Sequence, residues 1–100
     1  MKHHSVIIRS QQPPVVELDS EAQAAYIRFT SHKVAKTEPL LTAGCIVTVD
    51  FDAAGEVIGI ELVGVTEFGV EPLLKMAGVS PLPKRLAGRA RYVPAKLQMA

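Results

Sequence analysis

Between residues 15 and 63 the chain carries five short β-branched or apolar runs, each closed by a turn signal, and that punctuation points to a small antiparallel sheet. Val15-Val16-Glu17-Leu18 is closed by Asp19-Ser20, residues that favour turns because their side chains bond nearby backbone. Ala24 to Phe29 alternates, with Tyr26, Arg28 and Thr30 on one face and Ala25, Ile27 and Phe29 on the other. The short link between these two runs predicts a hairpin. After the turn Thr30 to Lys33, Val34 to Glu38 is a third strand ended by Pro39, and Thr42-Ala43-Gly44 is a break. Cys45 to Phe51 is a fourth strand, with Ile46, Thr48 and Asp50 opposite Cys45, Val47, Val49 and Phe51. The turn Asp52-Ala53-Ala54-Gly55 leads to a fifth, Val57 to Val63, in which Val57, Gly59, Glu61 and Val63 face away from Ile58, Ile60 and Leu62. A glycine inside a strand signals a bulge, or the close approach of another backbone or ring.

Around this body the chain changes character. Met1 to Pro14 is a flexible N-terminal arm, ending in Gln11-Gln12-Pro13-Pro14, with Val6 to Arg9 a possible edge strand. Beyond the body, Glu71 to Gly78 predicts one short helix: Pro72 stands in the first turn, Glu71 at the positive end, Gly78 at the C-terminal cap. Residues 15–78 thus read as a single β-rich domain with a short helix packed on one face. Residues 79–100 read as a basic tail broken by Pro81 and Pro83, with a basic helical turn over Lys84 to Arg91. The expected fold class is α+β, mainly β: a four- to five-stranded antiparallel meander with the helix on one face.

Charge follows the same division. Residues 1–71 hold five Lys/Arg against ten Asp/Glu, a net of −5; residues 72–100 hold six Lys/Arg and no acid, a net of +6, so the overall +1 conceals an acidic body and a basic tail. Three uses of the tail compete: docking on the body or on another subunit, neutralising nucleic-acid phosphates through Arg85, Arg89 and Arg91, or simple solvation. The acidic body would repel a polyanion, which favours docking.

Other classes are excluded by composition. At 100 residues the chain has room for one domain, and 48% apolar residues suffice for one core. With no Trp, three Phe and two Tyr it lacks the rings of a base-stacking platform. One cysteine excludes an intrachain disulfide and a cysteine-rich zinc site. No apolar run approaches the roughly 18 residues of a membrane helix, and the N-terminus lacks a signal peptide's apolar stretch, so a soluble cytoplasmic protein with no membrane role is expected.

The order of residues in the body resembles a small bacterial family known as domain of unknown function 2283. The resemblance rests on Leu18-Asp19-Ser20-Glu21-Ala22-Gln23-Ala24-Ala25-Tyr26-Ile27-Arg28-Phe29, then Thr37-Glu38, then Asp50-Phe51-Asp52, Gly55 and Gly59-Ile60-Glu61. It covers Val15 to about Val63. The chain departs at Leu18, where the family often has Tyr, and at Gln23, where it often has Asp. The family implies a compact β-rich domain followed by a helix, with no catalytic residues and no cofactor.

The possible chemical sites reduce to ordinary structure on the residues alone. Asp50, Asp52, Gly55 and Glu61 have the spacing of a calcium loop, but Ala54 replaces a ligand and the flanks are strands, so a hairpin turn is the better reading. His3 and His4 adjoin each other and His32 is remote, which does not make a zinc site. Cys45 has no evident base and reads as a buried apolar residue. Tyr26 and Arg28 either line a groove or pair across strands. A sheet this small leaves one face poorly covered, so a homodimer or a protein partner is expected. The leading functional expectation is a non-catalytic interaction, accessory or regulatory module, of which an antitoxin-like subunit is one form, with no cofactor or metal. A nucleic-acid-binding regulator using the tail follows, and a ligand-binding domain or enzyme around Tyr26, Arg28, Cys45 and Asp50 comes last.

Overall fold

The computed structural model describes residues 8–9, 11–40, 45–66, 69–79 and 82–94. Six strands form one sheet: β1 (Val15–Asp19), β2 (Ala24–Arg28), β3 (Lys36–Leu40), β4 (Ile46–Phe51), β5 (Val57–Val63) and β6 (Arg91–Pro94). Two helices, α1 (Val70–Ala77) and the single turn α2 (Lys84–Ala87), lie between β5 and β6 in the chain. The mainly β class holds, with six strands in place of the four or five expected.

The order across the sheet is β3-β4-β5-β2-β1-β6, so it is not a simple meander. β5 inserts between β4 and β2 and pairs antiparallel with both. Burial explains the order: Val57, Ile58, Gly59, Ile60 and Leu62 are all buried, which only a central strand permits. β3, with the sequence Lys-Thr-Glu-Pro-Leu, goes to the edge, where Pro39 sits within the strand instead of ending it, because an edge tolerates a missing donor. The link from β2 to β3 therefore runs past the ends of β5 and β4: Phe29 N–H donates to Ile58 C=O at 2.8 Å, and Ala35 N–H to Phe51 C=O at 2.8 Å.

A bulge between β4 and β5 corrects one more expectation. Asp50 pairs with Gly59 but Phe51 pairs with Val57, so the ladder skips Ile58. The shift moves Val57 into the core beside Ile60 and Leu62, not onto the face of Gly59.

One face of the sheet is covered. Val16, Ile27, Val49, Ile60 and Leu62 join Val70, Leu73, Leu74 and Ala77 of α1, with Val79 and Leu82, in one buried cluster. α1 ends as its sequence demands: Gly78 takes φ +71°, its N–H donates to Lys75 C=O at 3.1 Å, and Val79 N–H reaches Leu74 C=O at 3.1 Å. That is a Schellman cap, with buried Leu74 and Val79 at its two ends.

The tail is folded where it is described. Leu82 and Leu86 are buried, and β6 runs parallel to β1, pairing Arg91 with Val15 and Tyr92 with Val16. The Tyr92 side chain turns to the helix side, where its hydroxyl accepts the Val70 N–H at 3.0 Å, one of the donors left open at the start of α1. This attachment is made of apolar burial, backbone pairing and uncharged acceptors. The ion pairs among the described residues join Arg9 to Glu56, Arg28 to Glu17, His32 to Asp52 and Lys36 to Glu38, and none uses a tail cation. Of the arm, Ile8 is half-buried against the core and Pro14 is buried, with neither Ile8 nor Arg9 in a strand. Val6, Ile7, His3, His4, the break Thr42-Ala43-Gly44, Pro81 and Lys96 lie outside the described residues.

Candidate functional site

Strand alternation sends Tyr26 and Arg28 to the face opposite the helices. Register then sets their neighbours: Tyr26 stands beside Glu61 and Glu17, Arg28 beside Gly59 and Val15, and Gly59 beside Asp50. Because Gly59 has no side chain, the Tyr26 ring lies diagonally across β5; a Cβ at Gly59 would collide with the ring and its hydroxyl. The Tyr26 hydroxyl thereby reaches β4 and donates to Asp50 Oδ2 at 2.7 Å. Thr37 on β3 donates to the other oxygen, Oδ1, at 2.6 Å. On the other side of Tyr26, Arg28 Nη2 and Nε donate to Glu17 Oε2 at 3.0 and 3.3 Å. The guanidinium carbon sits 4.9 Å from the Tyr26 ring centroid, within cation–π range. Five side chains from β1, β2, β3 and β4 thus form one connected array passing over β5.

The chemistry of the array is that of fixed donors and acceptors. Burial pushes the Tyr26 hydroxyl well above its ordinary value of 10.0, and the hydrogen bond and negative charge of Asp50 push it the same way, against a smaller opposing pull from Arg28. The hydroxyl is therefore a standing donor at physiological pH. Beneath the array lies a shallow, open depression of about 400 Å³ whose lining includes Glu17, Asp19, Asp50 and Glu61 against a single cation, Arg28. Val34 stands in its wall, and Ile46, 66% exposed, is on the same face at the opposite end of β4 from Asp50. The open face is thus acidic with apolar patches.

A family model described as protein of unknown function DUF2283 matches residues 16–65. The chain belongs to that family. Comparison with curated proteins and with solved structures finds no match. The DUF2283 segment spans β1 to β5 and contains Tyr26, Arg28, Thr37, Asp50, Gly59 and Glu61, so the whole array belongs to the family's part of the chain. α1, α2 and β6 lie beyond it.

The remaining candidates stand apart from the array. Arg85, on α2, donates to Gln11 Oε1 at 3.4 Å; Arg89 is exposed in the turn after α2; Arg91 is exposed on β6, on the same face as Val15. Cys45 is half-buried against the core cluster, on the opposite face from Tyr26 and Arg28, so the structure does not bring these three together. Asp50 and Asp52 also part company. Asp52 belongs to the β4–β5 turn, where Oδ1 accepts the N–H groups of Ala54 and Glu56 at 3.0 and 2.9 Å, and Gly55 takes φ +84°. His32 Nδ1 lies 2.9 Å from Asp52 Oδ2, and that bond, with those from Glu56 and Ala54, holds the Asp52 carboxyl below its ordinary range. Among the described residues no three His, Cys, Asp or Glu side chains converge to hold a metal. No helix among them is long and apolar enough to cross a membrane.

Glu17 and Thr37 are the members of the array that reading along the chain does not single out. Their parity within each strand was visible; their neighbours depend on the order of strands in the sheet.

Proposed function

We propose that the chain is a non-catalytic interaction module that recognises a basic protein segment through the open face of its sheet. One observation carries the reading: the polar groups at the centre of that face are bonded to one another, leaving an acidic surface with exposed apolar side chains on the same face. Tyr26 is committed to Asp50, both Asp50 oxygens hold a donor, and Arg28 is committed to Glu17. Groups so engaged suit recognition better than proton transfer, which needs a base free to take a proton at working pH. The excess of carboxylates selects for lysine and arginine, and Ile46 and Val34 supply the apolar contact that gives such a surface affinity as well as steering. An accessory or regulatory subunit would use a face of this kind.

The test is a titration of isotope-labelled protein with an extended peptide alternating lysine and leucine, and with its glutamate counterpart, followed by amide chemical shifts. Shifts centred on Glu17, Tyr26, Thr48 and Glu61, produced by the basic peptide alone and suppressed by high salt, are expected. The Glu61→Lys variant should weaken them several-fold; Glu61 is exposed, so the fold is spared. Shifts confined to the helix side, or none, would overturn the reading.

A further inference from the structure

We infer that the basic segment recognised by this face is the β6 edge of a second copy of the chain, forming a reciprocal, salt-sensitive homodimer. The inference rests on the open face being an interaction surface and names its occupant.

Among the described residues the tail cations make no ion pair. Residues 72–100 contain no acid, and Lys84, Arg85, Arg89 and Arg91 are all exposed. They are presented by packed structure: Leu86 is buried, Arg91 N–H donates to Pro14 C=O at 3.0 Å, and the adjacent Tyr92 is tied to α1. Arg91 pairs with Val15 and so points to the open face. Its own sheet offers it little. β6 is three strands from β5 and four from β4, about 14 and 19 Å at the usual strand spacing, whereas an arginine reaches about 7 Å. Glu61 and Asp50 are therefore beyond it, and the nearer Glu17 already holds Arg28.

A second copy removes the mismatch. Stacking two open faces about a twofold axis parallel to the strands and between β1 and β2 lays β6 of each copy over β5 of the other, and β1 over β2. Rows along the strands are preserved by that axis. Arg91 then lies over the second copy's Gly59, beside its Asp50 and Glu61, and Glu17 lies over the second copy's Tyr26, next to its Arg28. Both contacts occur twice, as in any twofold interface. A stack centred on β5 would set acid against acid, so charge selects the offset arrangement. The contact is four strands wide, roughly 19 by 17 Å, small beside a standard interface of about 800 Å² per partner. The dimer should accordingly be weak and dependent on its charges.

Sedimentation equilibrium of the full chain at micromolar to submillimolar concentration, in low and high salt, measures it. A dimer in 50 mM salt with at least tenfold weaker association in 500 mM is expected. Arg91→Glu and Glu61→Arg alone should each yield monomers, with circular dichroism checking the fold. Mixed together they should dimerise again, because in the mixed pair one reciprocal contact is charge-reversed and the other is native, so both are attractive. A chain monomeric under all conditions overturns the inference, while peptide binding to the open face would still stand. A dimer indifferent to Arg91→Glu, or one that the mixture fails to restore, also overturns it. So does a monomer whose Arg91 is needed instead to bind a DNA duplex.

Discussion

On the helix side of the sheet, Ile27 and Val49 share a cluster with Leu73 and Leu74 and keep almost no surface in contact with water; one residue along the same strands, on the open side, Tyr26 and Asp50 are joined by a single directed hydrogen bond. The covered face is stabilised by apolar area and volume, which many side chains can supply. The open face depends on particular pairs, Tyr26 with Asp50, Asp50 with Thr37 and Arg28 with Glu17, each set by distance and direction. Alternation is what allows both on the same strands. The difference separates two duties. Substitutions toward the helices should change how stably the chain folds, and substitutions on the other side should change what the surface presents.

The largest expected effect lies on the covered face. Leu73 is fully buried, and Leu73→Ala should cost about 2–5 kcal/mol through lost transfer energy and the cavity left behind. Thr37→Ala on the open face should cost about 1 kcal/mol, the net worth of one hydrogen bond. Urea unfolding of both variants measures the contrast; equal losses would dissolve it.

Gly59→Ala comes next and sharpens the contrast differently, because here the open face is sterically exact. The added methyl must displace the Tyr26 ring, at a cost of about 1–3 kcal/mol. In a Tyr26→Ala background the same methyl has no ring to meet, so the penalty should shrink markedly. A double-mutant cycle reads that coupling, and strict additivity would mean that the ring does not rest on Gly59.

These two sites also show how far the chain could be read unaided. Leu73, Ile60 and Leu62 were legible as apolar positions because helical and strand periodicities are local. Gly59 was legible as a place of close approach, and the Tyr26–Arg28 face followed from alternation. Which ring approaches Gly59 was not legible, since it depends on β2 and β5 being neighbours across some thirty residues of chain. The same holds for Asp50 as the acceptor of Tyr26. β6 escaped notice because four residues ending in Pro94 carry no alternation signal, and its parallel partner β1 lies at the far end of the sequence. Pro39 was read as a strand end because its tolerance depends on β3 being an edge, again a property of the whole sheet.

Tyr92 tests whether the tail belongs to the covered face. Tyr92→Phe removes the acceptor from Val70 N–H and should cost about 1 kcal/mol. Hydrogen exchange at Val70 should quicken with it; an unchanged rate would detach the tail from the helix. Smaller still is the Arg28–Glu17 pair. Its side chains are 41% and 31% exposed, so water and salt screen it, and a double-mutant cycle should give about 0.2–1 kcal/mol, declining in high salt.

The last difference between the faces is silent at neutral pH. Tyr26 is held protonated in the folded chain, by burial and then by Asp50, to a pH above the ordinary value of 10.0. In the unfolded chain it loses its proton near that ordinary value. Between the two, the folded state binds one more proton than the unfolded state, so stability falls as pH rises. The contribution is intact below about pH 10 and drains away as pH climbs through the folded value. Urea midpoints at pH 8, 10 and 11 should therefore decline more steeply for the native chain than for Tyr26→Phe, which differs only in lacking this hydroxyl. Parallel declines would mean that the hydroxyl is free to ionise in the folded state, and the open face would then lose the standing donor on which its rigidity depends.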